Sequence, residues 1–270
     1  PSKSIISDLK KENLKGRKAK KLSNFSNVIF TCVDTGEKVL AFYKNSTFNV
    51  LDEKKLRSHP VKPKNTEQLF FLNMLLDPEV SIVVCAGATG SGKNLLSLLG
   101  ALNSGLPVAY CRNTITSGDA VSRLGFLKGD ESAKLGVFSY PLLDSVYGYM
   151  LAEGSKNISD KEIEIFLDEN SIETLNINQM RGSNLYHYLI LDEWQNSSAD
   201  SNKLMLSRLN EGSKVVIIGD LKQIDHPYLS KYDNALAIML KQAETSDIVA
   251  GVTMPKVLRG KIASYVEECL

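Results

Sequence analysis

The chain has few of the residues that build metal centres and disulfide frameworks, with only four cysteines and three histidines among its 270 residues. The cysteines form no C-x-x-C pair and have no histidine at a metal-ligand spacing, so neither a zinc site nor a disulfide framework is expected. They are Cys32, Cys85, Cys111 and Cys269. No apolar run approaches the roughly 18 residues of a membrane span, and no signal-type apolar stretch follows the basic N-terminus. We therefore expect a soluble, cytoplasmic protein with no membrane contact.

Positive charge is scarce outside the first 22 residues. Residues 1–22 hold eight lysines and arginines against Asp8 and Glu12, a net charge of +6, so the rest of the chain carries −5 within a total of +1. Such a basic arm can attract nucleic acid by counterion release, and the alternative is a solvated tail. The main domain shows no aromatic-rich basic segment of the kind that forms a base-stacking platform.

Composition and turn residues divide the chain into a basic arm at 1–22, a small β element with a linker at 23–60, and a main domain at 61–270. The small β element is predicted to be a hairpin, with a third strand as an option. Its strand-like runs are 27–33, 38–44 and 47–51. Pro60 and Pro63 favour an extended linker before the main domain.

Strands and helices alternate along the main domain. The predicted strands are 81–86, 107–112, 171–177, 186–192, 214–220 and 248–254, and the predicted helices are 66–76, 95–102, 141–152, 160–168, one between the strands that end at 192 and begin at 214, 233–243 and one from 257. Continuous apolar strands between helices predict an α/β fold whose mostly parallel sheet is covered on both faces. A ligand is then expected at the carboxyl edge of the sheet.

A phosphate-binding loop with one unusual residue follows the first of these strands. The pattern G-x-x-x-x-G-K-[ST] needs glycines so that backbone N–H groups can surround a phosphate, a lysine for the β/γ oxygens and a hydroxyl for Mg²⁺. Gly87, Gly92 and Lys93 fit the pattern, whereas Asn94 stands where Ser or Thr is expected. The residues predicted to bind the nucleotide here are Gly87, Ala88, Thr89, Gly90, Ser91, Gly92, Lys93, Asn94 and Leu95.

Paired carboxylates end a later strand of the main domain. Asp192 is predicted to hold Mg²⁺ through its hydration shell, and Glu193 to orient or deprotonate an attacking water. Two acids at a strand end are also ordinary surface residues, but the phosphate loop upstream favours the hydrolytic interpretation. Gln223 follows the next strand and is predicted to contact the γ-phosphate or its water, with a polar turn as the alternative.

The start of the helix at 66–76 allows two interpretations. Thr66 has a side chain suited to an N-cap, which would make this segment purely structural. Gln68 could instead read the edge of an adenine. The local sequence does not separate the two.

Six motifs occur in the order and spacing of the PhoH-like ATPases, which the chain resembles over roughly residues 61–270. They are PKNTEQ at 63–68, GATGSGKN at 87–94, LGFLKGD at 124–130, MRGSNL at 180–185, ILDEWQN at 190–196 and GSKVVIIGDLKQID at 212–225. The resemblance implies a single RecA-like P-loop NTPase domain, close to superfamily 1 helicases, that uses ATP and Mg²⁺. It also implies association with RNA or single-stranded DNA and assembly into homo-oligomeric rings, commonly hexamers.

An arginine that stabilises charge on the transferred phosphate must come from the same lobe or from a neighbouring subunit, because the roughly 210 residues after the linker suffice for one RecA-like lobe. The candidates are Arg112, Arg123, Arg181 and Arg259, of which Arg259 and Arg181 are favoured. The closing segment TMPKVLRGKIASYVEE resembles that of the family and nominates Lys256 together with Arg259.

Two residues depart from the family pattern. Asn94 replaces a threonine, but its amide oxygen can still ligate a hard cation, so Asn94 and Asp192 are the predicted metal residues. Trp194, the only tryptophan, replaces a small residue. Its predicted role is packing beside the metal site, with base stacking as the alternative.

Three functions are compatible with these features. The favoured one is a Mg²⁺-dependent ATPase that acts as a homo-oligomer on RNA or single-stranded DNA. The second is a nucleotide-gated assembly or scaffold protein that binds ATP with little hydrolysis, a role suggested by Asn94. The third is a small-molecule kinase, for which no acceptor pocket or lid motif is evident.

Overall fold

The computed structural model describes residues 22–113, 131–175, 177 and 185–256, together with the backbone of residues 14–15; for residues 131–139 it describes the backbone alone. Several sequence predictions concern residues outside these ranges. They are the role of the basic arm, the motif at 124–130, most of the motif at 180–185, the helix from 257, and the roles of Arg123, Arg181 and Arg259.

A small antiparallel sheet precedes the main domain, and its strand order is β1-β4-β3-β2. The strands are β1 (Leu14–Lys15), β2 (Ser26–Thr31), β3 (Lys38–Lys44) and β4 (Thr47–Val50). The turn between β2 and β3 closes through a hydrogen bond from Cys32 N to Glu37 O of 2.8 Å, and Gly36 has a φ of 69° there. The predicted hairpin and its optional third strand are therefore present, and Phe42 buries one face against the core of the main domain.

Six parallel strands form the main sheet within the described part of the chain, in the order β10-β5-β9-β8-β6-β7. The strands are β5 (Ile82–Gly87), β6 (Val108–Arg112), β7 (Ile172–Thr174), β8 (Tyr188–Asp192), β9 (Lys214–Gly219) and β10 (Val249–Met254). Successive residues of β5 face opposite sides: Val83 and Cys85 belong to one buried cluster, whereas Val84 and Ala86 belong to another. Burial on both faces explains why β5, β6, β8 and β9 are largely apolar runs, whereas β7 at the sheet edge has a single buried residue, Ile172.

Helices cover both faces of this sheet. They are α1 (Glu53–Leu56), α2 (Thr66–Leu76), α3 (Lys93–Leu102), α4 (Glu131–Glu153), α5 (Asp160–Glu169), α6 (Ala199–Leu206) and α7 (Ala235–Gln242). The predicted RecA-like α/β fold with a mostly parallel sheet is confirmed. The N-cap of α2 is Asn65 and not Thr66, the alternative that the sequence left open, because the Asn65 side chain accepts from Gln68 N at 2.8 Å and Thr66 is the first helical residue. Every helix of the described residues is too short or too polar to cross a lipid bilayer.

Candidate functional site

The phosphate loop links β5 to α3 at the carboxyl edge of the sheet. Two of its glycines, Gly90 and Gly92, have φ values of 81° and 87°, a conformation that side chains disfavour. The buried ammonium of Lys93 donates to Gly87 O at 2.6 Å and to Ala88 O at 2.9 Å. A Cβ on Gly87 would lie 2.6 Å from Met254 O on β10, so only glycine fits there. The loop therefore has the curled backbone and the inward lysine of a phosphate-binding site, with the N-terminus of α3 beside it.

Gln68 supports this loop from α2. Its Nε2 donates to Ser91 O at 2.8 Å, and its Oε1 accepts from Lys64 N at 2.7 Å. A primary amide has two N–H donors and two acceptor lone pairs, so one of each remains available. A side-chain amide with a donor and an acceptor to spare is the type of group that pairs with N7 and N6 of adenine. Gln68 also lines a cavity of about 200 Å³ beside the loop.

Three donors hold the buried carboxylate of Asp192. Asn94 Nδ2 donates to Oδ2 at 2.9 Å, the Tyr110 hydroxyl donates to the same oxygen, and Glu193 N donates to Oδ1 at 2.9 Å. Because an ionised carboxylate only accepts, Asn94 must direct its NH₂ group at Asp192, which leaves its amide oxygen for another partner. Burial and the neighbouring Asp192 carboxylate raise the pKa of Tyr110 far above its ordinary value, so Tyr110 remains a donor.

Glu193 is held in an uncommon backbone conformation at the end of β8, with a φ of 53°. Gln195 Nε2 donates to its Oε2 at 2.6 Å. Arg112, at the end of β6, lies with Nη2 3.6 Å from Glu193 Oε1 and with Nε 3.7 Å from Asp192 Oδ2. Sequence reasoning ranked Arg112 below Arg181 and Arg259, yet among the described residues it is the candidate arginine found beside both carboxylates.

Gln195 is a central residue that sequence reasoning missed. Its side chain is fully buried, and besides Glu193 it contacts two groups of the loop after β9. Nε2 donates to Gln223 O at 2.8 Å, and Oε1 accepts from Asp220 N at 3.1 Å. The Gln223 side chain in turn accepts from Thr89 Oγ1 at 3.1 Å. The residue predicted to sense the γ-phosphate is therefore connected both to the phosphate loop and to Glu193.

These groups meet around one cavity of about 310 Å³. It is lined by Thr89, Gly90, Gly92, Lys93, Asn94, Leu95, Arg112, Pro141, Asp144, Ser145, Asp192 and Glu193. Asp144, from α4, was not singled out from the sequence, because it lies far along the chain in an otherwise ordinary helix. The lining carries three carboxylates and two cationic side chains, so it suits an anion and a cation together.

Magnesium and ATP fit this chemistry. Carboxylate and amide oxygens are the donors that Mg²⁺ prefers, and Mg²⁺ commonly keeps waters and phosphate oxygens as its other ligands. Among the residues described, no group of three or more His, Cys, Asp and Glu side chains could hold a metal. A metal here would therefore need Asn94 or the nucleotide to complete its coordination.

Two further predicted residues have clear positions. Trp194 is fully buried and donates from Nε1 to Asn202 Oδ1 at 2.9 Å, which agrees with packing and not with base stacking. Lys256 is exposed and follows β10, which ends beside the phosphate loop.

Comparison with known proteins agrees with this geometry. The family model described as PhoH-like protein matches residues 60–270. The chain belongs to the PhoH family. It is 28% identical over 214 residues to protein PhoH2 of Bacillus subtilis, covering 78% of this chain and 48% of that protein. It is 31% identical over 214 residues to the PhoH-like protein of Mycobacterium leprae, covering 78% and 58%.

The chain thus spans about half the length of the PhoH relatives that it matches. Among solved structures, arterivirus nonstructural protein 10, a helicase in complex with DNA, is matched over 91% of this chain and 51% of its own, at 14% identity and a TM-score of 0.34. We assign the fold of this PhoH-family protein from its own strand order and register.

Proposed function

We propose that this PhoH-family protein is a Mg²⁺-dependent ATPase that acts on RNA or single-stranded DNA as a homo-oligomer. The observation that carries the proposal is the convergence of Lys93 and the phosphate loop with Asp192 and Glu193 around one cavity. The chemistry of such a site is positioning and electrostatic stabilisation more than covalent catalysis.

Binding of the triphosphate would first use the phosphate loop. Lys93 now donates to two loop carbonyls and can exchange them for phosphate oxygens without leaving the loop. Gln68 would accept and donate at the adenine edge with its remaining hydrogen-bonding capacity. The nucleotide would then be recognised at both ends, by charge at the phosphates and by a side-chain amide at the base.

Hydrolysis would then depend on Glu193. Its carboxylate orients the attacking water and takes its proton, and Gln195 keeps it aimed at the cavity. When bound, Mg²⁺ would neutralise charge on the β- and γ-phosphates, with Asn94 and Asp192 as its protein partners. Arg112 is placed to support Glu193 and the developing negative charge within the same lobe. Arg181 and Arg259 remain proposals for an arginine donated at a ring interface.

The test is phosphate release from ATP by Glu193→Gln. Turnover should fall by about 10²-fold or more, since general base catalysis contributes typically 10²–10⁴-fold, while ATP binding persists. The matched control is Glu211→Gln, an exposed glutamate at the amino edge of the sheet, which should behave as wild type. Unchanged turnover in Glu193→Gln would refute the proposal.

A second function, an ATP-dependent assembly switch with little hydrolysis, is favoured by one observation. Asn94 Nδ2 donates to Asp192 Oδ2, which already accepts from the Tyr110 hydroxyl, so this oxygen has less capacity left to hold a water of the metal. Comparing wild type with Asn94→Thr separates the two functions. ATP binding without wild-type turnover, with turnover restored by threonine, would support the switch; turnover in wild type would support the ATPase.

A further inference from the structure

Two tyrosines on the loop between β9 and α7 project into solvent. Tyr228 is 89% exposed and Tyr232 is 77% exposed, more than any other aromatic side chain among the described residues. The sequence expectation of no stacking platform rested on the absence of an aromatic-rich basic run. That expectation concerned a contiguous basic and aromatic run, whereas these two rings are separated by three residues of one loop. An exposed tyrosine ring offers an open face on which a base can stack.

Hydrogen bonds within the loop constrain the backbone from which these rings project. Tyr228 N donates to His226 Nδ1 at 3.2 Å, and the two rings pack edge to face with centroids 6.0 Å apart. Tyr232 N donates to Ser230 Oγ at 3.3 Å, inside a turn that Asn234 closes by donating to Ser230 O at 2.7 Å. A surface ordered before binding loses little entropy when a ligand arrives.

The same loop is fastened to the catalytic carboxylates. At its start, Gln195 contacts Gln223 O, and Asn196 Oδ1 accepts from Asp225 N at 2.8 Å. At its end, Ala235 N donates to Ser197 O at 2.8 Å. Three consecutive residues after Trp194 therefore bridge Glu193 and the tyrosine-bearing loop. If nucleotide binding moves Thr89 and Gln223, these bonds would transmit the movement to the loop that carries Tyr228 and Tyr232.

We propose that Tyr228 and Tyr232 stack on bases of a single-stranded nucleic acid, and that their loop couples this contact to the nucleotide site. The inference rests on the proposed function and gives its nucleic-acid partner a place on the molecule. Single strands fit best because their bases offer open faces, whereas a duplex hides them, and stacking on tyrosine tolerates any sequence.

The tyrosine-bearing loop and the basic arm differ in net charge. The loop at 221–233 has two lysines, Lys222 and Lys231, and two aspartates, Asp225 and Asp233, so its formal charge is zero. Lys231 lies with Nζ 4.9 Å from the Tyr232 ring centroid, where it can accompany a stacked base. Binding through the tyrosines should thus depend little on salt, whereas phosphate contacts through the arm should depend on it strongly.

The test measures fluorescence anisotropy of labelled oligo(U) and oligo(dT) with the full chain, with and without a non-hydrolysable ATP analogue. Each of Tyr228→Ala and Tyr232→Ala should weaken binding by about 5- to 150-fold, the range for loss of one stacked base. The Phe variants should bind as wild type, since stacking needs the ring and not the hydroxyl. The slope of affinity against salt should stay the same, and thermal unfolding should show that each variant is folded.

Tyr186→Ala is the matched control. Tyr186 is 52% exposed but precedes β8, at the amino edge of the sheet, and its loss should leave affinity unchanged. Wild-type affinity in the double Ala variant, or wild type that binds neither oligonucleotide, would overturn the inference. Loss of self-association in light scattering, with oligonucleotide affinity intact, would overturn it in favour of a second copy of the chain as the occupant. A wild type that binds through the tyrosines without hydrolysing ATP would uphold the inference and refute the ATPase.

Discussion

The two edges of the six-stranded sheet both bury polar groups, but they use them differently. At the amino edge, Lys214 begins β9 and donates to Met74 O at 2.9 Å and to Asp77 O at 2.7 Å. These bonds satisfy backbone carbonyls at the end of α2. At the carboxyl edge, Gln195 and Asp192 instead join side chains and loops that belong to different strands.

The difference lies in what hydrogen-bonding capacity remains after folding. Lys214 lies away from the cavity, and its two bonds go to backbone carbonyls, of which Asp77 O also accepts from Val80 N at 3.3 Å. Gln68 and Asn94 instead lie beside a cavity, and their amide oxygens have acceptor capacity beyond the bonds described above. Burial of a polar side chain therefore does not mark a site by itself. A site is marked instead by a polar side chain that lies beside a cavity and still has hydrogen-bonding capacity. The following substitutions test that distinction.

Gln195→Met should have the largest effect. Methionine fills the space but removes the bonds to Glu193, Gln223 and Asp220. The carboxylate of Glu193, the proposed general base, is then no longer held in its orientation. We expect kcat for ATP to fall by about 10²-fold, the lower end of general base contributions, with KM little changed. Gln242→Met, an exposed glutamine at the end of α7, is the control. Wild-type kcat in Gln195→Met would mean that Glu193 needs no such support.

Gln68→Met should affect binding more than turnover. It removes the amide proposed to read adenine, and one such bidentate contact is worth about 1–3 kcal/mol of base discrimination. We expect the KM for ATP to rise by about tenfold while kcat stays near wild type. KM values for ATP and GTP, measured side by side, should also converge. A retained preference for ATP would show that Gln68 only supports the loop through Ser91.

Tyr110→Phe should produce a smaller change, in metal dependence. The variant removes one of the two donors to Asp192 Oδ2 and leaves Asn94 as the other. With the carboxylate less firmly placed, we expect the half-saturating Mg²⁺ concentration to rise by about threefold, or about 0.65 kcal/mol. This is less than the roughly 1.5–3 kcal/mol that a hydrogen bond to a charged group contributes, because Asn94 still donates to the same oxygen. Titrating Mg²⁺ against binding of a fluorescent ATP analogue measures this without turnover.

Asn94→Thr provides the comparison for that titration. Both substitutions act on the same oxygen, so their effects on half-saturation should not add in the double variant. Additive effects would mean that Tyr110 and Asn94 act on the metal independently, contrary to the shared contact with Asp192.

Local patterns predicted β5, β6, β8 and β9 well because each is a largely apolar run between turn residues, whereas the strand predicted at 171–177 is the three-residue β7, Ile172–Thr174. The predicted strand at 81–86 differs from β5 by one residue at each end, and the predicted helix at 66–76 coincides with α2. Local patterns were less accurate for the start of one helix. The helix predicted at 141–152 is the second half of α4, which begins at Glu131 and has Pro141 in its interior.

The site divides in the same way. Lys93, Asp192 and Glu193 belong to spacing patterns that can be read along the chain. No spacing pattern identifies Gln195 as a site residue, because its partners Asp220 and Gln223 lie 25 and 28 residues away along the chain. They meet Gln195 only where β8 and β9 end side by side. Bonds between strand ends depend on sheet order, which no local motif encodes.

The last expected effect comes from the amino edge, and it concerns stability and leaves turnover unchanged. Burial lowers the pKa of Lys214 to about 8, against an ordinary value of 10.5. Between these values the unfolded chain binds more protons than the folded one, so the Lys214 contribution to the free energy of unfolding rises with pH and is lost as pH falls towards 8. Relative to Lys214→Met, wild type should gain at most about 1 kcal/mol per pH unit between pH 8 and 10. Urea unfolding at several pH values measures this, and a pH-independent difference would contradict it. Turnover at pH 7 should be the same in both proteins, because Lys214 is at the opposite edge from Glu193.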